Sequence, residues 1–132
     1  MNYSADTWFF IQLSEGSQKA EEIWKEIIEG KGRLVVSSIV IAETVKVLLR
    51  KNLKRRLNDF MIAFRSSDKI NVVDVTKLIA EEAGRISYSY NIPITDAIIT
   101  VTAILTDHCN ILSKDSHYDI LEKDEKIRKF FR

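Results

Sequence analysis

Short runs of aliphatic and β-branched residues alternate along this chain with longer stretches of helical period, and few folds satisfy that alternation. Residues 2 to 5 read as a very short first strand ending at Asp6, and Leu34 to Val36, Ile70 to Val75 and Asn110 to Ser113 read as buried strands. Ile127 to Phe131 offers a last short one. After a helical turn at Thr7 to Leu13, the residues Ala20, Ile23, Trp24, Ile27 and Ile28 recur at amphipathic helix spacing, with Ser17 as N-cap and Gly30 and Gly32 as stop signals. Ser37 or Ser38 caps a second helix whose apolar stripe is Ile41, Val45, Leu48 and Leu49. Further helices run from Leu53 to about Phe64 and from a Thr76 cap towards Tyr90. Asn91, Ile92 and Pro93 then break the chain before a helix from Thr95 through Ile104, which is apolar on most sides and so predicted to be buried. The order of elements predicts an α/β fold: a three-layer sandwich with a central, mostly parallel sheet of four to five strands and helices on both faces.

The chain has 132 residues, 45% of them hydrophobic, which suits one compact domain spanning residues 1–132. One proline and four glycines leave little room for linkers. A formal net charge of +1 excludes polyanion binding by bulk charge, so any nucleic-acid contact must be a local patch. With Cys109 as the only cysteine, neither an internal disulfide nor a thiolate-rich metal site is available. No basic leader opens the sequence, and no run approaches the roughly 18 apolar residues of a membrane span. The expectation is a cytoplasmic protein with no membrane partner.

Four acids, far apart in sequence, each sit where a strand ends or a helix begins: Asp6, Glu43, Asp96 and Asp115. Parallel strands open their carboxyl ends onto one crevice, which is where α/β sheets bind ligands. Four carboxylates brought together there repel one another, by roughly 4 kcal/mol per pair at 4 Å and an effective dielectric near 20. Such a cluster requires a divalent cation, and a cation held by oxygen ligands suggests phosphate chemistry. Each acid also has an ordinary use: Asp6 as a polar strand end, Glu43 as an exposed helix residue, Asp96 as complement to a helix dipole, Asp115 as a turn residue.

The segments SADTWFF, SSIVIAET, ITDAIITVTA and ILSKDSHYDIL, taken in order, resemble the PIN-domain ribonucleases, and in particular the VapC toxins of type II toxin-antitoxin pairs. The likeness spans essentially the whole chain. It implies a metal-dependent endoribonuclease with a four-carboxylate catalytic site made of Asp6, Glu43, Asp96 and Asp115. Phosphodiester hydrolysis then asks Asp6, Asp96 and Asp115 to hold Mg²⁺ or Mn²⁺, directly or through water, with Glu43 orienting a water or a second metal. Thr7, Thr95 and Ser113 are candidates to hydrogen-bond those carboxylates. The sequence departs from the family pattern at Ala5, where a large aliphatic is usual, at Ser113, where threonine is common, and at His117, a position often acidic. That last departure leaves Asp119 either as a fifth carboxylate or as the cap of the following turn. His108 and His117 are read as surface residues, and Trp8, Phe9, Phe10 and Trp24 as core.

The densest basic stretch contains Lys46, Arg50 and Lys54, which continue the face bearing Glu43 and serve either to hold RNA phosphates or as a solvated helix face. The natural substrate is single-stranded or looped RNA. By resemblance alone, a cognate antitoxin and a homodimer are implied. The rival expectation is a PIN-fold RNA- or protein-binding module with weak or no nuclease activity. A receiver domain or a haloacid-dehalogenase-like phosphatase fits poorly, because Asp6 stands alone in Asp6-Thr7-Trp8 instead of in a pair of acids.

Overall fold

The computed structural model describes residues 1–132. Five parallel strands form one sheet: β1 (Asn2–Ala5), β2 (Arg33–Ser37), β3 (Ile70–Val73), β4 (Asn110–Leu112) and β5 (Arg128–Lys129), in the order β3-β2-β1-β4-β5. Tyr3, Ser4 and Ala5 in β1, Leu34 to Ser37 in β2, and Ile111 and Leu112 in β4 are buried without alternation. Consecutive burial means that both faces of the central strands are covered, as a parallel sheet requires. The covering helices are α1 (Thr7–Ser14), α2 (Gln18–Ile28), α3 (Ser38–Arg50), α4 (Lys54–Ser66), α5 (Lys77–Tyr90), α6 (Ile94–Leu105) and α7 (Asp119–Lys123).

The chain leaves β1 to build β2 and β3 on one side, then crosses back through α5 and α6 to lay β4 on the other side of β1. That reversal opens a crevice beyond the carboxyl ends of β1 and β4. The register pairs Ala5 with Leu112, so the next residues of the two strands, Asp6 and Ser113, leave the sheet side by side. Helix α6 packs across β1, β2 and β4 and brings its first turn to the same end.

Most helix limits follow the caps in the sequence. Ser17 accepts from the Ala20 amide, Ser37 from that of Ile39 and Thr76 from that of Ile79. Asn91, in the left-handed region at φ 53°, ends α5, and Pro93 precedes α6, which starts at Ile94, one residue before the expected Thr95. In α3 the buried stripe is Val40, Thr44 and Leu48; Ile41 and Val45 flank it and Leu49 is exposed, a rotation caused by packing against α1, α4 and α6 at once. Strand β3 stops at Val73 instead of Val75, and the last strand is only Arg128–Lys129. A 3-10 turn at Ser116–Tyr118 and the five-residue α7 were not expected, since elements of one turn carry no measurable period. Phe9 and Phe10 are fully buried, with Phe10 edge-on to Phe60 and Phe64 at 5.2 Å, whereas Trp8 is half-buried against Phe131. No helix is long and apolar enough to cross a membrane.

Candidate metal centre

Asp6, Glu43, Asp96 and Asp115 line one cleft of about 320 Å³ at the switch point. Asp6 caps the end of β1, Glu43 lies in the second turn of α3, Asp96 in the first turn of α6, and Asp115 follows β4. Trp8, Ile11, Pro93 and Thr95 complete much of the wall. No lysine or arginine lines the cleft.

Neighbouring hydroxyls hold the carboxylates. Ser113, fully buried, donates to Asp6 Oδ2 at 2.7 Å while its Oγ accepts from the Asp115 amide at 3.0 Å, so one hydroxyl ties both strand ends together. Thr7 donates to Glu43 Oε1 at 2.8 Å, joining α1 to α3. Thr95, in the first turn of α6, lines the cleft without bonding a carboxylate. Tyr118, fully buried, points its hydroxyl at Asp96 Oδ1, 3.4 Å away.

Burial raises the Asp6 carboxyl from 3.8 to about 6, with Asp96 and Glu43 adding to the rise and the bonds from Ser113 and the Thr7 amide opposing it. Asp96 is raised too, first by burial and then by Asp115, against the lowering effect of His117 and Tyr118. The Tyr118 phenol is pushed well above its ordinary 10 by burial and by the charges of Asp6, Asp96 and Asp115, so it remains a donor. Carboxyls held high in a cleft without cationic side chains are short of positive charge. Carboxylates grouped in this way fit a hard divalent cation.

A family model for the PIN domain matches residues 3–124. The chain belongs to the PIN domain family. No curated protein sequence matches it. Among solved structures, this PIN domain is similar to VapC20 of Mycobacterium tuberculosis, described as a sarcin-ricin loop cleaving toxin, at a TM-score of 0.73 and 20% identity over 90% of this chain and 94% of that one. It is similar to VapBC2 from Rickettsia felis bound to a promoter DNA fragment (TM-score 0.72, 13% identity, 97% and 96% covered). A toxin-antitoxin complex from Klebsiella pneumoniae gives a TM-score of 0.69 at 20% identity, covering 88% and 89%.

Three expectations about side chains need correction. His117 is exposed, as expected, but it is no bystander in this PIN domain: it lines the cleft mouth, with Nδ1 3.0 Å from Asp96 Oδ2 and 2.9 Å from Asp115 Oδ1. Its signal in the sequence was its place in SKDSHYD, two residues after Asp115. Asp119 lies outside the cleft, exposed at the start of α7, and forms an ion pair with the buried Lys129 of β5. It secures the last strand and is no fifth carboxylate. The basic stripe is broken, because α3 ends at Arg50 and the chain turns through Asn52 at φ 58° before Lys54 opens α4. Lys46 and Arg50 stay exposed on the helix of Glu43 and form no ion pair, while Lys51 pairs with Glu15 and Arg56 donates to the Leu13 carbonyl.

Proposed function

We propose that this PIN domain is a divalent-metal-dependent endoribonuclease, the toxin of a toxin-antitoxin pair, acting in the cytoplasm on single-stranded or looped RNA. The observation that carries the proposal is the convergence of Asp6, Glu43, Asp96 and Asp115 on one cleft lacking cationic side chains, with Asp6 raised to about 6 by burial. Asp6, Asp96 and Asp115 hold Mg²⁺ or Mn²⁺, directly or through water. When bound, the ion offsets charge on the phosphoryl oxygens and makes a water acidic enough to attack. Glu43 has one carboxylate oxygen anchored by Thr7 and the other free to orient that water. Ser113 keeps Asp6 and Asp115 in register. Lys46 and Arg50, exposed and unpaired on α3, extend from Glu43 as a track for the phosphates beside the cut, and Lys54, beyond the turn at Asn52, offers a separate contact at the start of α4. The similar structures, one described as a toxin-antitoxin complex, one as VapBC2 on promoter DNA and one as a cleaving toxin, support an antitoxin partner. A homodimer is proposed with it.

The test is cleavage of a mixed pool of structured RNAs by the purified chain with Mn²⁺. The expected result is cleavage abolished by EDTA and reduced on the order of 100-fold or more in Asp96→Asn. Equal activity in the variant would overturn the proposal.

A further inference from the structure

The imidazole of His117 meets the carboxylates as a third donor. Its Nδ1 lies 3.0 Å from Asp96 Oδ2 and 2.9 Å from Asp115 Oδ1, and one ligand atom from each of the three residues falls within 4.8 Å of the others. The ring is held there by its own backbone, since the His117 amide donates to Asp115 Oδ1 at 2.9 Å and closes a tight turn. Neighbouring ligands at right angles around a small dication, each about 2.1 Å from it, stand about 3.0 Å apart. Both nitrogen-to-oxygen spacings match that edge, as they also match a hydrogen bond from Nδ1–H to a carboxylate, so metal would take the place of the shared proton.

We infer that His117 is an inner-sphere nitrogen ligand of the metal, and that it turns this site from Mg²⁺ towards Mn²⁺ and its transition-metal neighbours. The inference rests on the metal-site reading above. Ligation uses the Nδ1 lone pair, which places the ring proton on Nε2. Mg²⁺ prefers oxygen ligands and gives up its waters reluctantly, whereas an imidazole adds affinity for first-row transition ions. An acid at this position would offer only another oxygen, so a histidine here sets which ion is selected, not merely how tightly it is held.

Pulsed electron paramagnetic resonance of Mn²⁺ on the metal-stripped full chain tests this directly, because a coordinated ¹⁴N modulates the echo and an oxygen does not. The chain has two histidines, so His108→Gln serves as the control. The expected result is nitrogen modulation in the wild type and in His108→Gln and none in His117→Gln or His117→Asp. His117→Gln should also bind Mn²⁺ about tenfold more weakly while Mg²⁺ affinity changes by less than about threefold. His117→Asp, which restores a carboxylate, should still bind Mn²⁺, showing that the cleft remains folded. Mn²⁺ bound to the wild type without nitrogen modulation, or with modulation that survives His117→Gln, overturns the inference and leaves the carboxylate site standing. Failure of the wild type to bind Mn²⁺ more tightly than Asp96→Asn overturns the metal reading and the inference with it.

Discussion

At the scale of single residues, Asp6 is buried at a strand end among other acids. Its carboxyl titrates near 6 in the folded protein against 3.8 ordinarily, so between those values the folded chain keeps a proton that the unfolded chain has lost. Stability contributed by this group is therefore full below pH 4 and falls as pH rises through about 6, by on the order of 2 to 3 kcal/mol. Urea denaturation of metal-free protein at stepped pH should show that decline, and Asp6→Asn should flatten it without loss of stability at pH 7. Added Mn²⁺ should oppose the decline, since metal competes with the proton for the same oxygens. Asp6, Asp96 and Asp115 were legible in the sequence because each punctuates an element, a position that one-dimensional pattern reveals, whereas Glu43, inside α3, was legible through the resemblance of SSIVIAET. His117 was not, because a lone histidine in a polar turn looks the same whether it faces solvent or a neighbouring carboxylate. Asp119, which the sequence left open between a fifth carboxylate and a cap, follows the motif at plausible spacing, but the helical start at that residue turns it towards Lys129.

At the scale of elements, the site depends on how one helix hands over to the next. Helix α5 ends with Asn91 in the left-handed region, its amide bonded to the Ser87 carbonyl, and Ser87 Oγ donates to the Ile92 carbonyl at 2.7 Å. That turn sets the start of α6 at Ile94 and so the placement of Asp96 in its first turn, near the positive end of the helix dipole. Glycine accepts the same backbone freely, and a β-branched side chain does not. Asn91→Gly is expected to stay within about 0.5 kcal/mol of wild type, and Asn91→Val to lose about 1 to 2 kcal/mol in urea denaturation with an unchanged m-value. Caps at Ser17, Ser37 and Thr76 and the break at Asn91 to Pro93 were readable because cap chemistry is local. The facing of α3 was not, since its stripe answers to three helices packed on it together. Nor was the separation of Lys54 from Arg50, although Asn52 in the sequence KNLK is a residue tolerant of the left-handed turn found there.

At the scale of the whole molecule, parallel strands and crossover helices follow from the sequence pattern, but the order β3-β2-β1-β4-β5 does not. Strand order decides where the crevice opens, and it opens between β1 and β4, where two of the four acids leave the sheet. The other two arrive on helices α3 and α6 from segments far away in sequence. Function on this account belongs to the assembled end of the sheet and to no single motif. The most direct test of that convergence is an anomalous difference map from crystals grown with Mn²⁺. The expected result is a peak within about 2.2 Å of carboxylate oxygens of Asp96 and Asp115, reaching Asp6 directly or through water. Manganese absent from the cleft at saturating concentration, or bound only at acids elsewhere on the surface, would contradict it.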